Sequence, residues 1–456
     1  AAERARLCPS ELGLDLTHHV DLVIGDYNYV FDPSMALRRH FGEDDARGWI
    51  VVVDEVHQLM DRVREALSPG IDAALAREAT ARLWAAGSEF APYVALALVV
   101  GAARSVPGHA EDGLAQVELP VAALRALGEE IDAIGLDYAL LTADRPIAPT
   151  GDDPWLKLAW QVLRLAAAVD ETDVVRVSTV RRAAGDERLG FTCLDPSGWL
   201  GPRLGWLGGF VGLSATLGPP EFHRDLLGLD PEKLDVVVVP SPFPPERRKV
   251  LIASRVSTAY RDRAEQAEPT AKLLSAAVAE VPGNVAIYFS SFAMLDDLVP
   301  RLTLGDRVVV VQRPGMDDAL RAAALGRLSE GRPTVLCAVL GGVFAEGIDL
   351  PPGALSAVVV VGPALPPIGL ERELLKAHYE SRFGEGFRYA SLVPGTTRVV
   401  QAAGRLVRRA EDRGVIVLVD RRFRWRDVRA LLPPEWAPEV ALDPAAAIRA
   451  FFAAEP

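Results

Sequence analysis

The sequence contains little cysteine and no long hydrophobic segment. Its 456 residues include three cysteines, which are too few and too far apart for a disulfide framework. The longest apolar run, residues 93–103, is too short to cross a bilayer, and the N-terminus carries no apolar signal core. Internal repeats and low-complexity tails are also missing. These absences predict a soluble, cytoplasmic protein.

Acidic residues outnumber basic ones, 62 to 49. The net charge of −13 argues against a generally basic coat for nucleic acid, although it permits a local basic groove. Half of the residues are hydrophobic, and the length suffices for two to four domains with sizeable cores. The chain begins with Ala1 instead of methionine, which suggests a fragment or a processed product.

A third absence concerns nucleotide binding. The chain has no G-x-x-x-x-G-K-[ST] loop, whose lysine and backbone N–H groups hold the β- and γ-phosphates of a nucleotide. Without this loop, the chain by itself is expected to be a poor ATPase.

The acidic end of one predicted strand is the most informative feature that is present. Residues 50–53 are β-branched and apolar, which is typical of a strand buried on both faces of a parallel sheet, and Asp54, Glu55 and His57 follow. Ligand sites of open α/β sheets lie at the carboxyl ends of the strands. One carboxylate there suits Mg²⁺, and its neighbour suits the orientation or deprotonation of a water. A solvated acidic turn is the alternative.

The alternation of strands and helices predicts an α/β fold with parallel sheets. Residues 59–187 have helical periodicity and form an inserted, mostly helical module. Around this module, strands are predicted at 20–24, 50–53, 209–213 and 235–239. After a proline-rich connection, strands are predicted at 285–289, 308–311, 334–338, 357–361 and 415–419. Helices are predicted between them at 317–328, 370–381 and 397–409.

Gln401, Arg405 and Arg408 form the second informative segment. Their spacing of four and three residues places them on one face of a predicted helix, where Gly404 leaves room for close approach. Two guanidinium groups and an amide suit a triphosphate. A solvated helix is the alternative, and such helices are common in a chain so rich in arginine.

Two further segments follow predicted strands. Ser214 and Thr216 come after the strand at 209–213, where small hydroxyl groups can couple a nucleotide site to a moving domain or simply cap a helix. The glycine-rich segment 341–349 contains Gly347 and Asp349 and predicts a flexible turn ending in carboxylates. Such a turn does not identify a site by itself.

The order of these segments resembles that of superfamily 2 helicases, and more narrowly that of the DinG/XPD family of iron–sulfur DNA helicases. Residues 54–57, Asp-Glu-Val-His, match the DEAH box of that family with one substitution. Residues 23–33 resemble the stretch between its cluster domain and that box. Residues 345–351 resemble its motif V, and residues 401–408, Gln-x-x-Gly-Arg-x-x-Arg, resemble its motif VI.

The resemblance implies two RecA-like motor domains, the first incomplete, with an arch-type helical insertion. Motor domain 1 would comprise residues 1–58, which include the end of an iron–sulfur region, and residues 188–245. The insertion would comprise residues 59–187, and motor domain 2 residues 246–456.

The resemblance also implies roles in the first motor domain. Asp54 would hold the Mg²⁺ of Mg-ATP, and Glu55 would activate the attacking water. His57 would link the nucleotide site to the second motor domain, and Ser214 and Thr216 would transmit closure.

In the second motor domain, Arg405 and Arg408 would act as arginine fingers with Gln401 nearby. Gly347 and Asp349 would belong to the nucleotide-linked motif V.

One cysteine resembles a cluster ligand. Cys8, followed by Pro9, resembles the last of four ligands of a [4Fe–4S] cluster, with an inert thiol as the alternative. Cys193 and Cys337 lie far away and are predicted to be core thiols. The family places the other ligands and the phosphate loop upstream of Cys8, so a missing N-terminal segment is the simplest explanation.

DNA contacts are harder to predict. The candidates are Arg247, Arg248, Ser290 and Ser291, each of which is equally well explained as a surface charge or turn residue.

The predicted function is that of an ATP-dependent DNA helicase. By resemblance it would move 5′→3′ on single-stranded DNA and unwind forked duplexes in repair or replication. One alternative is a truncated motor domain that binds DNA or a repair partner without hydrolysis. Another is a motor within a larger system, such as a nuclease fusion or a CRISPR-associated helicase.

Overall fold

The computed structural model describes residues 9–83, 91–106, 113–142, 153–183, 186–347, 350 and 353–454. These residues form two compact units. The first contains most of the chain up to Ser214 together with Leu226–Asp230, and the second contains Ala215–Asp225 and the residues from Pro231 onward. None of the helices in the described ranges is long and apolar enough to cross a membrane.

The first part of the chain contains six strands and ten helices within the described ranges. The strands are β1 (Ile50–Val53), β2 (Gly70–Asp72), β3 (Leu114–Gln116), β4 (Val175–Ala183), β5 (Asp186–Asp195) and β6 (Gly209–Gly212). The helices are α1 (Pro9–Leu16), α2 (Asn28–Phe31), α3 (Arg38–Phe41), α4 (Leu59–Ala66), α5 (Ala73–Leu83), α6 (Ala91–Ser105), α7 (Val121–Thr142), α8 (Pro154–Ala168), α9 (Ser197–Trp206) and α10 (Pro220–Leu227).

The rest of the chain alternates strands with helices, as its pattern predicts. The strands are β7 (Arg248–Ala253), β8 (Val285–Phe289), β9 (Val308–Val311), β10 (Thr334–Val339), β11 (Ala357–Val361), β12 (Gly414–Val419) and β13 (Glu439–Val440). The helices are α11 (Arg263–Ala279), α12 (Phe292–Leu298), α13 (Asp318–Arg327), α14 (Leu370–Phe383), α15 (Val393–Ala403), α16 (Arg426–Arg429) and α17 (Pro444–Ala453).

The second unit is built on one seven-stranded sheet in which every pairing is parallel. The strand order is β13-β7-β12-β11-β8-β10-β9. Strands β8, β10, β11 and β12 are buried along their whole length, which explains their almost continuously apolar sequences. Separate apolar cores cover the two faces of the sheet. The predicted α/β architecture is confirmed here.

The register of this sheet brings the ends of several strands together. Val361 of β11 lies opposite Phe289 of β8 and also opposite Val419 of β12, and Val419 lies opposite Ala253 of β7. The residues that follow these four strands therefore meet at one edge, the carboxyl edge of the sheet.

The first unit contains a small parallel sheet and a helical insertion. β1 pairs with β6 in parallel, so that Val53 lies opposite Gly212. The insertion combines α5–α8 with an antiparallel sheet of order β2-β5-β4-β3, and these elements share one apolar core. Its helices are confirmed, but the sheet was not predicted. The boundary proposed at residue 187 falls inside β5.

Two predicted strands are wrong. Residues 20–24 and 235–239 are not strands in the structure, and their apolar side chains are exposed, with Ile24 at 91% and Val237 at 84%. Within the described residues neither segment is paired with a strand of any sheet. The prediction that β1 is buried on both faces is also wrong, because Ile50 is 69% and Val52 59% exposed.

The predicted helix at 397–409 ends earlier than expected. α15 stops at Ala403, so Arg405 and Arg408 do not share a helix face with Gln401. The buried carboxylate of Asp412 accepts the backbone N–H groups of Arg408 and Arg409, each at 2.9 Å. This local cap favours a turn over further helix.

A buried carboxylate ties together the carboxyl edge of the second sheet. Asp420, which is fully buried, accepts hydrogen bonds from the backbone N–H of Thr258 (2.6 Å) and from its hydroxyl (2.7 Å). It also pairs with the Arg422 guanidinium at 2.9 and 3.0 Å. Burial raises the pKa of Asp420, but the bonds and charge of Arg422 and the Thr258 hydroxyl outweigh it, so the pKa is lowered overall.

Removal of this charge should destabilise the protein strongly. Asp420→Asn should lower the free energy of unfolding by roughly 3–5 kcal/mol at neutral pH, because it leaves the Arg422 charge without its partner. Since the folded-state pKa is depressed, the stabilisation is present above the unfolded pKa of about 3.9 and is lost as pH falls through the folded value. The deficit should therefore shrink at low pH.

Urea denaturation of the full chain at several pH values measures this effect. The matched control is Asp306→Asn, whose side chain is exposed and which should leave the midpoint unchanged. Equal midpoints for Asp420→Asn and wild type would contradict the assigned role.

Candidate functional site

The two carboxylates after β1 sit on a strained turn. Asp54 and Glu55 are both exposed, and Glu55 adopts a left-handed backbone conformation with φ of 49°. This conformation costs a residue with a Cβ roughly 1–2 kcal/mol. Two bonds hold the turn, since the Glu55 N–H donates to Asp54 Oδ1 (2.9 Å) and the Val56 N–H donates to the Leu213 carbonyl (2.9 Å). The carboxylates are thus presented from a fixed backbone.

Tyr27 provides a further restraint on this turn. Its hydroxyl donates to the Asp54 carbonyl at 2.5 Å and lies 3.4 Å from the Glu55 carbonyl. Burial, followed by the charges of Asp54 and Glu55, raises the pKa of the Tyr27 hydroxyl, so it stays protonated and able to donate. Tyr27 was not among the predicted site residues, although its position in the segment 23–33, which resembles the family sequence before the acidic box, was a signal for it.

Glu55, His57 and Ser214 converge at the carboxyl ends of β1 and β6. His57 Nδ1 lies 2.8 Å from Ser214 Oγ and 3.2 Å from Glu55 Oε2. The Ser214 hydroxyl lies within 3.4 Å of the same Glu55 oxygen. Only 8% of the His57 side chain is exposed, compared with 50% for Glu55. The cluster therefore orients the exposed Glu55 carboxylate through the mostly buried His57 and the half-buried Ser214.

Thr216 belongs to the second unit, whereas Ser214 belongs to the first.

A magnesium ion fits Asp54. Exposed carboxylate oxygens are the ligands that Mg²⁺ prefers, and it usually binds through one or two of them together with waters and substrate phosphates. No group of three or more His, Cys, Asp or Glu side chains in the described ranges is arranged to hold a metal alone. Asp54 would accordingly act as one protein ligand to a nucleotide-bound ion.

In the second unit, Arg405 contacts the motif V segment. Residues Val343–Gly347 form one π-helical turn, and Arg405 Nε donates to the carbonyl of Ala345 at 2.5 Å. The buried Tyr288 hydroxyl donates to the Phe344 carbonyl of the same turn at 3.0 Å.

The charges of Arg405 and Arg408, the two predicted arginine fingers, both affect the pKa of Tyr288. Burial raises the pKa of Tyr288 to about 12, and the charges of both Arg405 and Arg408 oppose that rise. The charge of each arginine thus affects this tyrosine despite the early end of α15. Gln401 lies in the last turn of that helix.

Of the motif V pair, Gly347 ends the π-helical turn, and Asp349 lies outside the described residues.

The four candidates for DNA contacts lie at opposite edges of the second sheet. Ser290 and Ser291 follow β8 and lie at the carboxyl edge of the sheet, where the Ser291 hydroxyl caps α12 by accepting the Met294 N–H at 3.2 Å. Arg247 and Arg248 lie at the start of β7, which is the opposite edge. Arg247 donates to the Glu411 carbonyl at 3.0 Å, and burial lowers the pKa of Arg248.

The described cysteines do not fit an iron–sulfur cluster. Cys193 and Cys337 are buried, belong to different units, and burial raises the pKa of each to about 12. Cluster ligands are thiolates, which this environment disfavours. The prediction that both are core thiols is confirmed. Cys8 lies outside the described residues.

Comparison with known protein families identifies two matching regions. Residues 274–439 match the family described as helicase C-terminal domain, and residues 1–75 match the family described as DEAD_2. The first region covers most of the large parallel sheet, and the second ends just beyond the Asp54–His57 segment.

Individual relatives have helicase names. A probable ATP-dependent helicase of Methanocaldococcus jannaschii is 31% identical over 46% of this chain and 34% of its own length. The ATP-dependent DNA helicase YoaA of Escherichia coli is 28% identical over 50% of this chain and 36% of its own length. The chain thus matches about a third of the length of these two relatives.

Solved structures show the same fold. An XPD helicase structure aligns with a TM-score of 0.65 at 19% identity, covering 96% of this chain and 76% of the other. The structure of Xpd4 from S. tokodaii aligns with a TM-score of 0.63 at 14% identity, covering 91% and 81%. The chain therefore has two RecA-like α/β domains with an insertion.

Tyr27→Phe should loosen the acidic turn without unfolding the protein. Loss of one hydrogen bond, worth about 0.5–1.5 kcal/mol, should speed amide hydrogen exchange at Glu55 and Val56 by several-fold. The matched control is Tyr29→Phe in the same segment, which should leave that exchange unchanged. Exchange equal to wild type in Tyr27→Phe would show that its hydroxyl does not restrain the turn.

Cys193 and Cys337 should resist alkylation in the folded protein. With a pKa of about 12, only on the order of one thiol in ten thousand is ionised at about pH 8, and burial excludes the reagent as well. Iodoacetamide labelling followed by peptide mass spectrometry should modify neither residue until guanidinium is added. Rapid labelling of either one in the native protein would disprove the assignment.

Proposed function

Because this chain belongs to the DinG/XPD-type family of superfamily 2 helicases, we propose that it is the motor portion of an ATP-dependent DNA helicase. The proposed enzyme moves 5′→3′ along single-stranded DNA and unwinds forked duplexes in repair or replication. The observation that carries the proposal is the cluster of Glu55, His57 and Ser214 beside Asp54.

The first unit would supply the hydrolytic groups. Asp54 would hold Mg²⁺, which when bound neutralises charge on the nucleotide phosphates. Glu55 would accept a proton from the attacking water. Its Oε2 is held by His57 Nδ1 and the Ser214 hydroxyl, which restrict the side chain to one orientation. A preoriented carboxylate lowers the entropy lost in positioning the water.

The second unit would supply positive charge. Arg405, whose Nε donates to the Ala345 carbonyl, and Arg408 would stabilise the charge of a transferring phosphoryl group. Gln401, Thr216, Gly347 and Asp349 are assigned to the same cycle by resemblance alone.

The domain assignment follows from the same proposal. Motor domain 1 comprises residues 1–58 and 188–245, the insertion 59–187, and motor domain 2 residues 246–456. The antiparallel pairing of β4 with β5 supports a later end for the insertion, beyond Asp195, because a boundary at 187 would divide one hairpin.

Hydrolysis by this machinery needs a phosphate-binding loop, which the sequence of this chain does not contain. We propose that this loop is supplied outside the present sequence, as are three ligands of a [4Fe–4S] cluster completed by Cys8. No step of the mechanism depends on that cluster.

A second candidate function is that of a non-hydrolysing motor domain. It would bind single-stranded or forked DNA, or a repair or CRISPR-associated partner, without turning over ATP. The ATPase measurement below separates the two.

Glu55→Gln should abolish most DNA-stimulated ATPase activity of the natural full-length polypeptide. Loss of a general base typically lowers kcat by about 10²- to 10⁴-fold, whereas DNA affinity should persist. The matched control is Glu65→Gln, an exposed residue on α4, which should leave the rate unchanged.

Two results would contradict this assignment. A wild-type rate in Glu55→Gln would remove Glu55 from the mechanism. If the wild-type polypeptide binds DNA but does not hydrolyse ATP, the non-hydrolysing function is correct.

A further inference from the structure

Two exposed aromatic side chains lie on the carboxyl-edge loops of the second sheet. Tyr260 is 83% exposed and Trp425 is 50% exposed, although both follow strands of the fully formed sheet. Large aromatic rings are usually buried, at least in part, so two exposed rings on loops of one edge indicate a surface used for binding.

A network of bonds joins the two loops. Arg421 donates its backbone N–H to the Val256 carbonyl at 3.0 Å, and its guanidinium pairs with Asp262 at 2.9 Å. Trp425 is four residues from Arg421, and Tyr260 is two residues from Asp262. Since a chain advances at most about 3.6 Å per residue, the Cα atom of Trp425 lies within roughly 15 Å of that of Arg421, and the Cα atom of Tyr260 within roughly 8 Å of that of Asp262.

The loops are rigid beneath the exposed rings. Phe423 is fully buried in the core, and the buried Asp420 pairs with Arg422 and with Thr258. The backbone N–H of Trp425 donates to the Arg422 carbonyl at 3.0 Å. Trp425 is therefore presented from a fixed backbone, which reduces the entropy lost when its ring is covered.

The surroundings of the rings are basic in a chain whose net charge is −13. In residues 255–265 and 420–427, exposed arginines outnumber partly or fully exposed carboxylates by five to three. The arginines are Arg255, Arg261, Arg421, Arg424 and Arg426, and the carboxylates are Asp262, Glu265 and Asp427. The field at this edge therefore favours an anion.

The loop that carries Tyr260 lies close to one candidate for a DNA contact. A Cβ placed on Gly362, which has a φ of 91°, would lie 2.7 Å from Thr258 Oγ1 and 3.8 Å from Ser290 Oγ. Ser290 thus lies close to the loop that carries Tyr260, whereas Arg247 and Arg248 are at the opposite edge.

We infer that Tyr260, Trp425, Arg261, Arg424 and Arg426 form an aromatic–arginine surface that binds single-stranded DNA by stacking bases on the rings and pairing phosphates with the arginines. The inference extends the proposed function by assigning it a strand-binding surface. Stacking needs unpaired bases, because the faces of bases in a duplex are already covered. The Arg263 guanidinium lies over the Tyr260 ring, 5.4 Å from its centroid, and the exposed remainder of the two rings favours a single strand over a duplex.

The test measures binding of a fluorescent oligothymidylate to the full chain without nucleotide, by anisotropy. Trp425→Ala and Tyr260→Ala should each weaken binding by roughly 5- to 100-fold, whereas Trp425→Phe, which keeps a ring, should retain most of the affinity. Arg424→Gln should make the dependence of log K on log salt shallower by about 0.7. Intrinsic tryptophan fluorescence should change on binding, and this change should be smaller in Trp425→Phe than in the wild type, which contains eight tryptophans.

The matched control is Trp160→Ala, a tryptophan on α8 that is 47% exposed and should not affect binding. Thermal unfolding of each variant verifies that a loss of affinity is not a loss of fold. If Trp425→Ala and Tyr260→Ala are folded and bind as tightly as wild type, the aromatic–arginine surface is not the strand site.

The binding experiment distinguishes an error in the proposed helicase function from an error in the assigned aromatic–arginine surface. If the wild-type chain binds no single-stranded DNA at all, the proposed helicase function is contradicted. If it binds and the variants bind equally, only this inference is overturned. Preference for an oligouridylate that is lost in the same variants would overturn DNA as the occupant.

Discussion

Parallel strand pairing is the constraint on which both candidate sites depend. In a parallel sheet all carboxyl ends face the same edge, and the register in the second unit aligns the ends of β7, β8, β11 and β12. The same geometry in the first unit places Asp54 and Ser214 together after β1 and β6. Residues separated by more than 150 positions meet because the pairing of backbone groups allows only one direction and one register.

The carboxylates at the carboxyl edges of the two parallel sheets differ in burial and in pairing. Asp420 is buried, fully bonded and low in pKa, so it stabilises the loops and is not available to a ligand. Asp54 and Glu55 are exposed, and their positions are maintained by backbone bonds and by neighbouring groups. A buried carboxylate must be paired to offset its desolvation, whereas an exposed one remains available for a cation or a water. The difference in burial therefore separates the structural carboxylate from the candidate catalytic ones.

Local strain accompanies the candidate catalytic turn. Glu55 adopts a left-handed conformation that its side chain disfavours, and bonds from Tyr27 and to Leu213 compensate for it. The structure maintains this conformation through contacts with residues distant in the sequence. Such a turn separates the directions of two adjacent carboxylates, which suits different roles for Asp54 and Glu55.

Much of the fold could be predicted because the relevant signals are local. The apolar runs of β1, β8, β11 and β12 are visible in short windows of sequence, and each run forms a strand in the structure. The acidic residues that follow β1 are visible in the same way. Runs of the same kind at 20–24 and 235–239 did not, because a strand requires a partner that a short window cannot reveal. The β4–β5 hairpin was missed within a segment dominated by helical periodicity.

In the candidate site, too, some features follow from the local sequence and others only from contacts between distant segments. The sequence alone determined which residue types could perform the chemistry: adjacent carboxylates after β1, a hydroxyl after β6, and two closely spaced arginines after α15. Only the tertiary structure decided that Ser214 contacts His57, that Tyr27 restrains the acidic turn, and that Arg247 and Ser290 lie at opposite edges. Chemical identity is a property of each residue, whereas proximity depends on strand register and on contacts between distant segments.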